Sequence, residues 1–201
     1  MIFMPMSSDA DVIEAVLRGE VDRYAELVDR HQQVAWSVAL RLVGNLEDAK
    51  ELSQNAFVKA YQHLAGFRRE AKFSTWLYRI VVNECKDFFK QKARRPPMVA
   101  VGVDPEGEET GAVEPVDPSG TPRDLVAERE LAGRLQDAVA ALPMNQRTAF
   151  VLHHVQGLSL EEAADVMGCR VGTVKSHVFR ACEQLRGRLE PYLSGGSRHD
   201  P

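Results

Sequence analysis

The sequence has few cysteines and no group of residues typical of an enzyme active site. Its three cysteines, Cys85, Cys169 and Cys182, form no CxxC pair and have no histidine at zinc-finger spacing. This spacing argues against a zinc site or a disulfide framework, so we expect reduced, mostly buried thiols. His153 and His154 occupy adjacent helix positions that face different ways, which favours surface side chains over metal ligands.

Phosphate-cradling glycine loops, metal clusters and nucleophile-base pairs are also absent from the sequence, so we expect neither an enzyme nor a cofactor. No apolar run approaches the ~20 residues that span a bilayer. Residues 1–6 lack the charged start and the long apolar centre of a secretory signal. We expect a cytoplasmic protein with no membrane insertion of its own.

What the chain does have is enough hydrophobic sequence for buried cores and a marked segregation of charge. Hydrophobic residues make up 44% of the 201 residues, and the formal net charge is -4. Residues 68–95 carry a net charge of +6, residues 96–122 of -6 and residues 170–188 of +4. Two basic blocks flank an acidic one, so the average charge does not exclude nucleic-acid binding.

Hydrophobic periodicity predicts helices throughout the first half of the chain. Ser8 is the expected cap of a short helix that Gly19 can end. Apolar residues at three- and four-residue steps predict three longer helices, over 21–43, 46–64 and 73–93. Ser74 or Thr75 is the expected cap of the last of these helices.

A proline-rich acidic segment separates this half from a second helical region. Pro96-Pro97 ends the preceding helix, and almost no large apolar side chain follows for two dozen residues. Further helices are expected over 122–142 and 146–154. We therefore predict an all-α protein of two small helical domains, with one domain over 9–95, an acidic flexible linker over 96–122 and another domain over 123–193.

The clearest motif is a pair of short helices between Leu158 and Leu185. Ser159 and Glu162 form a capping box, and Gly168 can adopt the left-handed conformation that ends a helix. The expected inward residues of the second helix are Val171, Val174, Val178, Ala181 and Leu185. This arrangement is typical of a helix-turn-helix, whose second helix enters a major groove about 12 Å wide. An ordinary helical hairpin is the alternative.

Aromatic and basic side chains are interleaved between Phe67 and Trp76. Cations attract phosphates, and each ring offers an unpaired base a stacking surface worth ~1–3 kcal/mol. The segment therefore favours contact with opened DNA. Leu77 and Ile80 are expected in the core, whereas Phe73 and Trp76 could serve either purpose.

Both halves resemble the sigma-70 family, in the extracytoplasmic-function class that keeps only the second and fourth sigma domains. The resemblance covers about residues 9–190. The residues that carry it are 44–57, Phe67-Arg68, 73–80 and Asn83 in the first half, and Leu142-Pro143, Gln146-Arg147, Phe150, Leu152, 157–159 and 172–176 in the second.

The resemblance implies a sigma factor, which directs core RNA polymerase to promoters and assists their melting without catalysis of its own. It implies that the largest polymerase subunit binds Asp48, Glu51, Gln54 and Asn55. Lys50 and Asn55 stand where the family usually has acids, so the charge of this contact is weakened. A solvated helix face is the alternative interpretation of these residues.

The resemblance also implies two contacts with promoter DNA. The melted non-template strand of the minus-ten element would bind Phe67, Arg68, Arg69, Lys72, Phe73, Trp76, Arg79 and Asn83. The duplex minus-thirty-five element would bind Arg170, Thr173, Lys175, Ser176, Phe179 and Arg180. Arg170 replaces the usual Ser, Thr or Pro that starts the reader helix, and His177 replaces the usual Arg, so we expect a shifted promoter preference.

A further implied partner is an anti-sigma factor that would cover both DNA-binding surfaces. The linker would thread through polymerase, with a disordered tether as the alternative. The competing function is a free-standing helix-turn-helix regulator that binds duplex DNA without polymerase. Such a regulator would need neither the polymerase contact nor the aromatic-basic segment.

Overall fold

The computed structural model describes residues 7–68, 71–94 and 133–193, and within these ranges it is helical with no strand. The first half contains α1 (Asp9–Leu17), α2 (Tyr24–Val43), α3 (Leu46–Gln62) and α4 (Phe73–Arg94). The second half contains α5 (133–140), α6 (Met144–Phe150), α7 (Leu160–Met167) and α8 (Val171–Leu193). The all-α prediction is confirmed. The predicted linker over 96–122 lies outside the described residues.

Most helix ends in the first half follow local signals. Ser8 and Asp11 form a capping box at the start of α1, and Gly44 ends α2 at a φ of 77°. The predicted cap of α4 is wrong, because the helix begins at Phe73 and places Ser74 and Thr75 inside its first turn.

The core of the first half lies between α2, α3 and α4, with α1 packed against α2. The largest of its fully buried side chains include Leu27, Leu42, Leu64, Leu77 and Val81. Burying each such side chain contributes about 1.5–3 kcal/mol. The Tyr24 hydroxyl donates to the Phe57 carbonyl at 2.7 Å, and burial raises the pKa of Tyr24. This packing holds α3 and α4 in place, and each helix has a second face that is exposed.

The second half is built on α6, α7 and α8, and it contains the predicted helix-turn-helix. Ser159 and Glu162 form the expected capping box, and Gly168 ends α7 at a φ of 65°. Val174, Ala181 and Leu185 are buried, which confirms most of the inward face of α8. Val171, the first residue of the helix, is 38% exposed instead.

The two halves pack against each other through α4 and α7 and through α2 and a π-helical turn over Val151–Val155. The Tyr78 hydroxyl donates to Gln156 Oε1 at 3.5 Å, and the Arg147 guanidinium donates to the Leu42 carbonyl. Among the described helices, none has both the length and the apolar character needed to cross a membrane.

Candidate nucleic-acid and polymerase interfaces

A cleft of about 350 Å³ lies beside the start of α4. The residues that line it are Gly66, Phe67, Arg68, Ala71, Thr75, Trp76, Arg79, Asp165 and Val166. All but the last two belong to the first half. The cleft therefore combines rings and cations, as the sequence predicted for Phe67, Arg68 and Trp76.

Three aromatic rings form the apolar wall of the cleft and its support. The Phe67 and Trp76 rings are half-buried, with centroids 5.1 Å apart and planes inclined at 43°. Phe73 is 3% exposed and lies behind them, 6.0 Å from Phe67 and 5.8 Å from Trp76. Phe67 and Trp76 thus offer surface for stacking, whereas Phe73 supports both rings from the core.

The support behind Phe73 continues into α1 and α2 through contacts that the sequence did not reveal. The His31 ring lies 5.2 Å from the Phe73 ring, and its Nε2 is 2.8 Å from Asp9 Oδ2. Arg30 Nη1 donates to the other oxygen of the same carboxylate at 3.1 Å. These residues lie about 40 to 65 positions before Phe73, so no local pattern links them to the aromatic wall.

The cations that line the cleft and the nearby Lys72 face solvent. Arg68, Lys72 and Arg79 are exposed, and no carboxylate in the described part of the chain forms an ion pair with them. Asn83 is exposed one helical turn beyond Arg79. Arg69 lies outside the described residues. Unpaired, solvated cations attract phosphates, and the neighbouring rings offer bases a surface for stacking. The cleft therefore suits a single-stranded nucleic acid.

The outer face of α3 carries the residues predicted to meet polymerase. Glu51, Gln54 and Asn55 are exposed, and Asp48 is half-buried with its amide hydrogen-bonded to the Asn45 cap at 3.0 Å. The same face continues into an apolar end that was not predicted from the sequence, formed by Val58 and Tyr61, which are 56% and 41% exposed. Val58 and Tyr61 follow Gln54 at helical spacing, and this pattern in the sequence could have identified them.

The exposed face of α8 presents every predicted contact for duplex DNA. Arg170, Thr173, Lys175, Ser176, Phe179 and Arg180 are all exposed. Phe179 is 66% exposed, unusually so for a large ring, and an apolar group here can meet a thymine methyl in the major groove. The Ser176 hydroxyl donates to the Gly172 carbonyl at 2.9 Å, which leaves its oxygen free to accept.

Among the described residues, the histidines and cysteines outside these surfaces are not grouped into a metal site. The His153 and His154 rings lie in the π-helical turn with their centroids 4.8 Å apart. Cys182 Sγ lies 3.5 Å from His154 Nε2. Within the described ranges, no three His, Cys, Asp or Glu side chains are grouped to hold a metal ion. All three thiols are free; Cys85 is buried and the others are half-buried.

Comparison with known proteins relates the chain to a family. The family model for Sigma-70 region 2 matches residues 27–95, and the model for Sigma-70 region 4 matches residues 132–185. The ECF RNA polymerase sigma-E factor of Haemophilus influenzae is 35% identical over 92% of this chain and 97% of its own. The RNA polymerase sigma-H factor of Pseudomonas aeruginosa is 34% identical over 94% and 98%.

Two solved structures have the same fold. CnrH, in complex with the cytosolic domain of CnrY, aligns with a TM-score of 0.64 at 25% identity over 92% of this chain and 99% of its own. The sigma factor RpoE of Bartonella quintana, in complex with the anti-sigma factor NepR, also has a TM-score of 0.64, at 24% identity over 83% and 96%. The chain therefore belongs to the sigma-70 family, in its extracytoplasmic-function class, as the sequence resemblance indicated.

Proposed function

We propose that the protein directs core RNA polymerase to specific promoters and assists their melting. The observation that carries this proposal is the cleft beside α4, where Phe67 and Trp76 lie next to the exposed cations Arg68 and Arg79. A regulator that binds only duplex DNA does not need a cleft of this kind. Membership of the sigma-70 family supports the same function.

The three surfaces have separate roles in this proposal. The α3 face binds polymerase through Asp48, Glu51, Gln54 and Asn55, with Val58 and Tyr61 adding apolar contact. The cleft and the adjoining residues, with Arg69 and Asn83 included, hold the melted non-template strand of the minus-ten element. The exposed face of α8 reads the duplex minus-thirty-five element. The boundaries proposed for the corresponding domains and linker are 9–95, 96–122 and 123–193.

The protein supplies binding and positioning in this function and performs no catalysis of its own. Its place of action is the cytoplasm, where polymerase and the chromosome are found. We include an anti-sigma factor among its partners, because a homologous sigma factor of the same fold forms such a complex. A protein bound over the cleft and α8 together would prevent both promoter contacts.

Transcription with sigma-free core polymerase tests the proposed function directly. The purified chain is expected to start transcripts at a defined set of promoters in genomic DNA. Glu51→Lys should weaken binding to core polymerase by about tenfold, because one interface charge pair is worth about 1.4 kcal/mol or more. Asp29→Lys makes the same charge change at an exposed site on α2 and should leave binding unchanged. Wild-type protein that starts no promoter-specific transcript would refute the function.

Arg170 is expected to set part of the preference for the upstream element. Its side chain is exposed at the start of α8, while its carbonyl accepts the Thr173 amide at 2.9 Å. Arg170→Ala should change discrimination at one or two base positions by ~1–3 kcal/mol, measured by selection from randomised duplexes. Lys175→Ala is the comparison variant, expected to act through phosphate. If Arg170→Ala weakened all sequences uniformly, Arg170 would be a phosphate contact instead.

A further inference from the structure

The two rings that line the cleft depend on Phe73, a buried ring behind them. Phe73 contacts both Phe67 and Trp76, and it is the first residue of α4, whose first turn also carries Trp76. The leading amide groups of a helix have no partner within the helix, so side-chain packing contributes much of what holds a first turn in place. The position of Phe73 therefore determines where the two lining rings stand.

His31 on α2 packs against Phe73 without reaching the cleft itself. The two ring centroids are 5.2 Å apart, and the planes are inclined at 56°. Among the described residues, the His31 ring pairs with Phe73 and with neither Phe67 nor Trp76, and His31 does not line the cleft. Any effect of His31 on the lining rings therefore passes through Phe73.

Asp9 fixes the orientation of the His31 ring. Asp9 Oδ2 lies 2.8 Å from His31 Nε2, and the His31 side chain is only 17% exposed. An imidazole can turn about its last side-chain bond, and a hydrogen bond from one ring nitrogen to a carboxylate restricts that rotation. The Asp9 carboxylate is itself held, because Arg30 Nη1 donates to its other oxygen at 3.1 Å. Asp9 is also the first residue of α1, directly after the Ser8 cap.

The same charged network continues away from the cleft. Arg30 Nη2 donates to Glu26 Oε2 at 3.2 Å, and Arg23 Nε donates to Glu26 Oε1 at 2.7 Å. Among the described contacts, Arg23 bonds to neither Asp9 nor His31. Arg23 therefore belongs to the network without acting on Phe73, and it provides a matched control for effects on stability alone.

We propose that Asp9 and His31 are positioning residues for the melted strand of the minus-ten element. The Asp9 carboxylate holds the imidazole against Phe73, and Phe73 holds Phe67 and Trp76 at the separation and inclination that a stacking base meets. Neither Asp9 nor His31 touches DNA in this arrangement. The inference rests on the proposed function, because it assigns α1 and α2 a part in binding at that site.

Binding of a bubble-containing promoter by the protein in complex with core polymerase is the first test. His31→Ala should weaken this binding by about 2- to 12-fold, the factor that corresponds to one aromatic pair, and should leave binding of the duplex upstream element unchanged. Asp9→Ala should also weaken bubble binding, but should add no further loss to His31→Ala, because Asp9 acts through that ring. His31→Phe keeps a ring without the hydrogen bond, so its affinity should be intermediate and insensitive to Asp9→Ala.

The second test measures the lining rings in the free protein without DNA. The chain has two tryptophans, Trp36 and Trp76, so Trp36→Phe leaves Trp76 as the only indole fluorophore. In that background, His31→Ala and Asp9→Ala should each shift the Trp76 emission and increase its quenching by acrylamide. Arg23→Gln is expected to leave both the emission and the bubble affinity unchanged, even where it lowers the unfolding temperature.

The outcomes distinguish this proposal from the proposed function. If the wild-type complex bound the bubble and His31→Ala bound it equally well, positioning would be overturned and the proposed function would stand. Equal effects of Arg23→Gln in both tests, or additive losses from Asp9→Ala and a folded His31 variant, would also overturn positioning. His31→Phe serves for this comparison if His31→Ala does not fold. A wild-type complex that bound no bubble would refute the proposed minus-ten site, and positioning of the strand with it.

Discussion

Replacing Trp76 with alanine is expected to weaken the hold on melted DNA by about 5- to 150-fold, while binding of the duplex upstream element stays close to wild type. The range follows from the ~1–3 kcal/mol that one stacked base contributes. Trp76 borders the cleft and its ring contacts Phe67, so its removal also takes away part of the stacking wall. The measurement is binding of a bubble-containing promoter by the protein in complex with core polymerase.

Two further variants test whether the effect of Trp76→Ala is specific to melted DNA. Phe179→Ala removes a highly exposed ring from α8 and should weaken duplex binding without affecting the melted strand. Trp76→Phe keeps an aromatic face and should recover most of the lost affinity. Equal losses of bubble and duplex binding by Trp76→Ala, together with a lower unfolding temperature, would instead make Trp76 a structural residue.

Arg147→Met is expected to lower the free energy of unfolding by about 1–3 kcal/mol, because it leaves the part-buried carbonyl groups of Leu42 and Leu142 without this donor. The Arg147 guanidinium donates to Leu142 at 3.1 Å and also to the carbonyls of Ala140 and Leu42. Partial burial lowers the pKa of Arg147, so its charge is less well solvated than that of an exposed arginine. Urea unfolding followed by circular dichroism measures the change.

The matched control for Arg147 is another arginine of the second half. Arg186 pairs with Glu183 on the exposed face of α8, and its side chain is 72% exposed. Arg186→Met should change stability by less than about 0.5 kcal/mol. Arg147→Lys should remain destabilised, since one ammonium cannot reproduce the guanidinium fork. A similar loss for Arg147→Met and Arg186→Met would remove the structural role assigned to Arg147.

Local signals allowed part of the fold to be predicted from the sequence. The capping box of Ser159 and Glu162 needs only a three-residue spacing, and Gly168 needs only freedom at a positive φ. The start of α4 at Phe73 was predicted correctly, but its cap was not. Phe73 is already the first residue of the helix and its ring lies against His31, so Ser74 and Thr75 stand inside the first turn and not before it.

The candidate site also has some residues that the sequence identifies and others that it does not. Phe67, Arg68 and Trp76 are close in sequence, so their combination of rings and cations is evident from the sequence alone. The support behind Phe73 and the α7 side of the cleft are not evident, because only tertiary packing brings Asp9 to His31 and Asp165 to the cleft. Val58 could have been found, since it continues the exposed face of α3 at helical spacing.

The buried thiol of Cys85 can be used to measure unfolding of the first half of the chain. Burial raises the pKa of Cys85 to about 12, so at neutral pH the group remains a protonated, unreactive thiol. An alkylating reagent can capture it only when the surrounding helices open. The rate of alkylation at this position, with excess reagent, therefore records how often the native core of α2, α3 and α4 comes apart.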